Sequence, residues 1–418
     1  MKPTATIALR RRDTCRLCEG RRLERVFSLA PTPPANAFVT EAQRGEAQER
    51  FPLDLHLCRD CGHLQLLDVL DPGALFENYL YVSGTSPVFV DHFRRYAEEA
   101  IARYGLRPGD LVLEIGSNDG TFLRFFQEAG MRTLGVDPAR EIAGRASAAG
   151  IETIPEFFTP ELAARLRAER GEAALVAANN VFAHADDLAG IARGVRGLLA
   201  PEGVFVFEVS YLADVYEHLL FDTIYHEHLA YHAVGPLRPF FERNGLALFG
   251  AERVDAHGGS LRGAAQLAGG PRAEAPSVGE MIAHEGALGL DRPETFHEFA
   301  ERIDRRREEL GALLRRLKEE GKMIAGFGAP AKATTLMHHF GLGPEALDFI
   351  VDDSPLKQGL YTPGRHIPVL PSSAISERRP DYLLVLAWNF AESIIARHKS
   401  FCEAGGRFIV PLPELRVV

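Results

Sequence analysis

No stretch of this chain approaches about 18 consecutive apolar residues, so no transmembrane helix is expected. The N-terminus, MKPTATIALRRRD, has arginines after a short apolar run and no small-residue cleavage site. It does not read as a secretory signal, and a cytoplasmic protein is expected. Basic residues are not in excess: 47 Lys and Arg face 57 Asp and Glu, for a net charge of −10. A general nucleic-acid binder usually carries a basic face, so that class is disfavoured. No repeat of fixed period and no low-complexity tract is present. Cysteine is scarce. Of five, Cys402 stands alone and four form two tight pairs. In a reducing compartment such pairs point to metal rather than disulfides. What remains is 46% hydrophobic and 25% charged over 418 residues, as expected of two or three globular domains. A chain of that size builds its own core and does not depend on metal to hold it all together.

The texture divides the chain into a Cys- and Arg-rich segment to about residue 70, a middle domain over 71–290 and a last domain over 291–418. Residues 71–105 look helical, with apolar positions at helical spacing in VDHFRRYAEEAIARYG. From 111 onward short apolar runs alternate with helical ones. LVLEIGS, RTLGVDP, ALVAANNVF and GVFVFEVS, the last after a Pro-Glu-Gly turn, are predicted strands of a parallel sheet covered on both faces. LALFGAERVDAHGGSLRGAAQLAG predicts two strands and a turn at an antiparallel edge. ETFHEFAERIDRRREELGALLRRLKEEG predicts one long helix that bridges two domains, with Leu310, Leu313, Leu314 and Leu317 at three-to-four spacing. The strand–turn–helix texture restarts in KMIAGFGAPAKATTLMHHFG and continues through LDFIVDDSP, DYLLVLAW and GRFIVPLP. The predicted class is α/β: a doubly wound Rossmann-like sheet, a metal-binding N-terminal lobe and a C-terminal Rossmann-like domain.

Cys15-x2-Cys18 and Cys58-x2-Cys61 each place two thiolates on one knuckle, and two knuckles complete a tetrahedron that suits structural Zn²⁺. Arg16 and Arg59 are expected to offset thiolate charge. His63 is an alternative fourth ligand. The lobe is expected to help close an active site.

LEIGSNDGTFL ends a strand at Glu114 and turns through Gly116, Asn118, Asp119 and Gly120 into a helix. Small residues there admit a ligand close to the backbone. The spacing is not the Gly-x-Gly-x-x-Gly of dinucleotide binding; a site for the methionine end of S-adenosylmethionine (AdoMet) needs no pyrophosphate cradle. Glu114 is expected to organise the loop or meet the ammonium group. Asp137, ending the next strand in LGVDPA, is expected to accept the ribose hydroxyls. AANNVFAH places Asn179, Asn180 and Val181 beside the cofactor. A flavodoxin-like or nicotinamide site is the competing reading.

In DTIYHEHLAYH, Tyr225, His226, Glu227, His228, Tyr231 and His232 crowd together after a strand and its helix. His184 is placed at the carboxyl edge of the sheet, where open α/β sheets bind ligands. An acid/base cluster is the preferred reading. A second metal site lacks the His-Glu-x-x-His spacing, and a solvated loop without a role is the plain alternative. In the last domain Gly326, Gly328 and Ala329 precede a helix that starts near Pro330, an arrangement that favours an anion. Lys332 adds a charge, and Asp352, Asp353 and Lys357 follow the next strand. Arg262, in HGGSLR, is a candidate phosphate contact or part of a structural turn.

Taken together, the two cysteine pairs, EIGSNDG, GVDP, NNVFAH, TIYHEH, HGGSLR and GFGAPAKATTL resemble the zinc-containing sugar C-methyltransferases, in order and over nearly the whole chain. Related members read YDEH where this chain has His226. The resemblance implies methylation of a carbon, expected to be C-3, in a nucleotide-linked 4-keto-deoxysugar of antibiotic biosynthesis. The nucleotide is expected to be thymidine diphosphate (dTDP), seated near the last domain with Gly328, Lys332 and Arg262. It also implies that Tyr225, Glu227, His228 and His184 are active-site residues and that Tyr79 reaches the site from the N-terminal lobe. Carbon attacks only after loss of a proton beside the carbonyl, and a histidine suits that task. His228 is the expected base, Glu227 its orienting partner, and Tyr225 and His184 donors to the enolate oxygen. An O- or N-methyltransferase on a related small molecule, and a non-enzymatic AdoMet- or nucleotide-binding protein, are the rival readings. The sequence sets no oligomeric state; a monomer is compatible with it.

Overall fold

The computed structural model describes residues 7–77, 84, 87–256 and 258–418. They form two compact units. One runs to Glu24 and then takes Leu57–Ala213 and Leu229–Asp291; the other takes Arg25–His56, Asp214–His228 and Arg292–Val418. The second unit thus includes two inserts, 25–56 and 214–228, that leave the first.

The first unit is built on a seven-stranded sheet. Its strands are β1 (Leu111–Ile115), β2 (Arg132–Val136), β3 (Thr153–Ile154), β4 (Ala173–Asn179), β5 (Leu199–Ser210), β6 (Leu246–Val254) and β7 (Ser260–Leu267). The order is β6-β7-β5-β4-β1-β2-β3. β1 pairs in parallel with β2 and β4, β2 with β3, and β4 with β5, while β7 runs antiparallel to β5 and β6. The apolar runs of β1 and β4 are buried along nearly their whole length, as strands covered on both faces must be. The Pro-Glu-Gly segment does not stop the chain ahead of β5: the strand starts at Leu199 and its register against β4 shifts between Leu199 and Val204.

Register aligns the strand ends. Ile115 lies opposite Val136 and Ala178, and Asn179 lies opposite Glu208. The carboxyl ends of β1, β2, β4 and β5 therefore share one edge. Residues 71–105 give a short helix, Pro72–Phe76, and then α1 (Pro87–Tyr104). Phe93 and Tyr96 of α1 pack on Phe122 of α2 (Thr121–Glu128), at 5.1 and 5.0 Å between ring centres. The metal lobe adds two small antiparallel pairings, Leu9–Arg11 with Asp68–Leu70 and Leu64–Leu66 with Ala230–Tyr231.

The second unit is built on β8 (Ile324–Phe327), β9 (Phe349–Val351), β10 (Val369–Leu370), β11 (Tyr382–Val385), β12 (Arg407–Val410) and β13 (Arg416–Val417). The order is β10-β9-β8-β11-β12-β13, parallel except for the last strand. The long helix, α3 (Pro293–Glu319), lies wholly in this unit. It buries Phe296, Phe299, Ile303, Leu310, Leu314 and Leu317 on one stripe; Leu313 is half-buried. α4 (Ala331–Phe340) follows β8. Among the described residues, no helix is long and apolar enough to cross a membrane.

Candidate functional site

The four cysteines converge. Cys15, Cys18, Cys58 and Cys61 hold their sulfurs within 4.8 Å of one another. Cys15 and Cys61 are 3.7 Å apart and Cys18 and Cys58 3.5 Å. Zn–S bonds of about 2.3 Å at tetrahedral angles put sulfurs about 3.8 Å apart, so the set fits four-coordinate zinc. His63 is not a ligand in this group. Its imidazole is buried, stacks on His232 at 5.7 Å, and is pushed down to about 4 by burial. The arginines beside the knuckles have further partners: Arg16 interacts with the Cys15 charge as expected, and both arginines also meet acids of the chain. Arg59 pairs with Glu24 at 3.6 Å on the surface. Arg16 is buried and hydrogen-bonds Gln65 at 3.1 Å and the Leu66 carbonyl. It also pairs with Asp186 at 3.1 Å, and Arg10 and Arg12 reach the same carboxylate. The metal knuckle is thereby tied to the loop after β4, which carries His184. His184 stacks on Phe76 with ring centres 5.6 Å apart.

At the carboxyl edge of the first sheet, Gly116 adopts φ +68° and its N–H donates to the Val136 carbonyl at 2.7 Å. A β-carbon at this position would collide with Val181. Gly120, at φ +76°, caps α2. Asn118 and Asn180 hold left-handed conformations, φ 51° and 54°. Asp137 clasps the turn, accepting from Asn118 N at 2.8 Å and Ala139 N at 2.8 Å, and burial raises its pKa. Glu114 is buried, accepts from Asn179 Nδ2 at 3.0 Å, and is held well above the usual carboxylate range by burial. Among the described residues, Glu114 Oε2 and Asn179 Oδ1 are buried without a hydrogen-bond partner. Buried polar atoms are rarely left so. Unfilled oxygens beside a turn too tight for a side chain fit the ammonium end of AdoMet. Beyond β2 and β3, a cavity of about 370 Å³ is lined by Pro138, Arg140, Pro155 and Phe157 among others.

The His-rich segment divides. Tyr231 and His232 belong to the first unit as core. Tyr231 is buried, and His232 stacks on Phe182 at 5.4 Å and is pushed down to about 3 by burial. Residues 225–228 belong to the second. His226 is buried there against Phe51, its Nε2 3.3 Å from the Phe51 carbonyl, and burial lowers it to about 4. A neutral ring in that setting is a packing residue. Glu227, 2% exposed, accepts from Asn36 Nδ2 at 2.9 Å. His228 and Tyr225 are in ring contact at 4.1 Å. His228 Nδ1 lies 2.7 Å from the Thr223 carbonyl. A carbonyl only accepts, so Nδ1 carries the hydrogen and Nε2 is the nitrogen of the neutral ring that can take a proton. Tyr79 lies outside the described residues.

In the second unit Gly328, at φ +86°, donates to the Val351 carbonyl at 2.7 Å, and Ala329 N donates to Asp352 at 2.6 Å. Lys357 Nζ donates to the Ala329 carbonyl at 2.9 Å. Lys332 faces Asp222, 3.8 Å away, and the Trp388 ring. Asp353 pairs with Arg397 on the surface. Arg262 is not on a turn: it sits in β7, donates from Nη2 and Nε to the single oxygen Oε2 of buried Glu208 at 3.0 and 3.1 Å, and lies over the Tyr96 ring at 3.6 Å. Glu99 also takes it at 3.1 Å, and His92 Nε2 is 2.8 Å from Glu208. Its charge is thus engaged by the protein's own carboxylates. Sequence reasoning did not single out Asn36, His92, Asp186, Glu208, Asp222 or Trp388. Each meets its partner across a long stretch of chain, and no local pattern marks it.

Residues 15–76 match a family described as a zinc binding domain, 89–249 a methyltransferase domain, and 255–413 a C-methyltransferase C-terminal domain. The C-methyltransferase NovU of Streptomyces niveus is 40% identical over 406 residues, covering 97% of each chain. Among solved structures, the PH0226 protein of Pyrococcus horikoshii OT3 is similar at 15% identity and a TM-score of 0.37, over 45% of this chain and 94% of that one. The CcbJ methyltransferase of Streptomyces caelestis is similar at 19% identity and 0.33, over 42% and 89%.

Proposed function

The chain belongs to the zinc-containing, AdoMet-dependent sugar C-methyltransferase family, and from that premise we propose that it deprotonates the carbon beside the ketone of a dTDP-linked 4-keto-deoxysugar and methylates it, at C-3. Bound AdoMet supplies the electrophilic methyl group. Glu114, Gly116, Asn118, Gly120, Asp137, Asn179 and Asn180 hold it. The observation that carries the reading is His228: with Nδ1–H on the Thr223 carbonyl, Nε2 is the proton acceptor. The C–H electron pair passes into the enolate as the proton moves to Nε2. Tyr225 and His184 donate to the enolate oxygen, where charge gathers. The carbon then forms its bond to the methyl group as the bond to sulfur breaks, leaving S-adenosylhomocysteine. Glu227, fixed by Asn36, orients the segment. Gly328 and the turn after β8 take the nucleotide diphosphate. Arg262, engaged by Glu208, is left out of that role. A biosynthetic role in antibiotic deoxysugar formation follows from the same reading.

The test uses methyl-deuterated AdoMet with dTDP-4-keto-6-deoxyglucose and its 2-deoxy analogue. Expected are S-adenosylhomocysteine and a CD3 group bonded to carbon by NMR. A CD3 group on oxygen or nitrogen overturns the carbon chemistry.

A further inference from the structure

Helix α4 holds residues 221–224 at several points. Asp222 is 0% exposed. Trp388 Nε1 donates to its Oδ2 at 2.6 Å. Lys332 Nζ stands 3.8 Å from the same oxygen and 4.3 Å from the centre of the Trp388 ring. Three residues along α4, Thr335 Oγ1 donates to the Ile224 carbonyl at 2.8 Å. Farther on, Phe340 stacks on Phe221 at 5.1 Å. Lys332 and Thr335 are helix neighbours three apart and share a face. The carbonyl between these grips, that of Thr223, is the one that receives His228 Nδ1.

A phosphate-binding role for Lys332 competes poorly with this arrangement, because its ammonium already faces a carboxylate and an indole. Nor is a buried ion pair a source of net stability; hydrophobic replacements often do as well. Burial pushes Lys332 down and Asp222 up, both toward the neutral forms. An arrangement so costly to desolvate is explained by what it fixes, and what lies next to it is the support of His228.

We propose that Lys332, Asp222 and Trp388 form a positioning clasp that fixes the Thr223 carbonyl, and through it the tautomer and aim of the His228 imidazole. They are positioning residues, since they act through Thr223. The inference rests on the reading of His228 as the base.

The experiment uses the full-length zinc-loaded enzyme and the variants Lys332→Met, Asp222→Asn, the double variant, Thr335→Val and His228→Asn. Three quantities are read: kcat and KM with dTDP-4-keto-6-deoxyglucose, dTDP affinity by calorimetry, and the imidazole 15N spectrum. The signal missing in His228→Asn identifies His228. Each single charge variant is expected to lower kcat by about 10- to 100-fold, the scale of a small misplacement of a catalytic group. dTDP affinity stays within about twofold, and the His228 signal changes from a single Nδ1–H tautomer to a mixture. The double variant is no worse than the more severe single one, because no unpaired charge is left buried. Thr335→Val loosens the grip without touching the pair. It gives the same spectral change at smaller amplitude and stands in if a charge variant does not fold. Unchanged kcat with an unchanged His228 signal overturns the clasp. So does a fall in dTDP affinity with kcat retained, which would make Lys332 a phosphate ligand. Failure of the base reading looks different: His228→Asn keeps its turnover while the tautomer of the otherwise wild-type protein still responds to Lys332→Met.

Discussion

The two units each contain a strand, a glycine turn and a helix, and the two turns are nearly the same object. Gly116 and Gly328 both take positive φ, and both donate to the carbonyl of the valine that ends the neighbouring strand, each at 2.7 Å. In both cases the next residue, Asp137 or Asp352, accepts a backbone N–H of the turn and one two residues beyond itself. What differs is the filling. The first turn has Glu114 two residues before its glycine, with buried oxygens of Glu114 and Asn179 left without partners among the described residues. The second has Gly326 at the equivalent place, and its lysines face Asp222 and the Ala329 carbonyl. Backbone geometry therefore marks a turn that can host a ligand, and the side chains left unpaired mark what it hosts. The first fits an ammonium group; the second offers backbone and a self-neutralised helix.

Targeted substitutions test this contrast. The largest effect is expected from Cys61→Ser, since four thiolates hold the zinc and the binding energy of a structural zinc is folding energy. Metal content should fall from one zinc per chain to below about 0.1, with loss of AdoMet binding in the first unit. Metal analysis and calorimetry check it; full AdoMet affinity without zinc would separate the lobe from the cofactor site. Arg262→Met should cost about 3–5 kcal/mol in denaturant unfolding, because it takes the guanidinium from buried Glu208 and leaves that carboxylate to His92. An unchanged stability with a raised KM for the nucleotide sugar would instead return Arg262 to the phosphate. Gly116→Val should weaken AdoMet binding at least about 100-fold, or about 2.7 kcal/mol, from strain at positive φ and collision with Val181. Gly328→Val should leave AdoMet affinity within about twofold, because Gly328 belongs to the other unit and touches none of the residues of the first turn. Equal losses in the two would erase the contrast.

The smallest effect concerns pH. Burial holds the Glu114 proton above the usual carboxylate range. Its stabilising contribution is then fully present below the unfolded pKa of about 4.3 and is lost as pH rises through the raised folded value. Glu114→Gln copies the neutral acid. The melting temperature of the AdoMet-free variant should exceed that of the wild type by a margin that grows from pH 5 to pH 8, to about 2–4 °C. A margin independent of pH would mean that Glu114 is ionised throughout.

The glycine turns, the strand-ending acids and the cysteine knuckles were legible in the sequence because each is local: residue type and spacing determine what the backbone does. Most predicted strands and the long helix follow from the same periodicity, although α3 belongs to one unit instead of bridging two. Long-range charge pairing was not legible. Arg262, Lys332, Arg16 and Arg59 all read as cations available to a ligand or a thiolate, and all meet the chain's own acids. Only folding decides which buried cation finds which carboxylate, and a buried charge without one is too costly to leave. The His-rich segment shows the same limit. Eight crowded positions suggested one cluster, yet the chain passes from one unit to the other after His228 and gives Tyr231 and His232 to a core.

Exchange of solvent deuterium into the carbon beside the ketone of dTDP-4-keto-6-deoxyglucose, with S-adenosylhomocysteine in place of the methyl donor, isolates proton abstraction from methyl transfer. Wild-type protein should catalyse the exchange, and His228→Asn should reduce it by about 100-fold or more while AdoMet still binds normally. Exchange at the wild-type rate in His228→Asn would contradict the account at its centre.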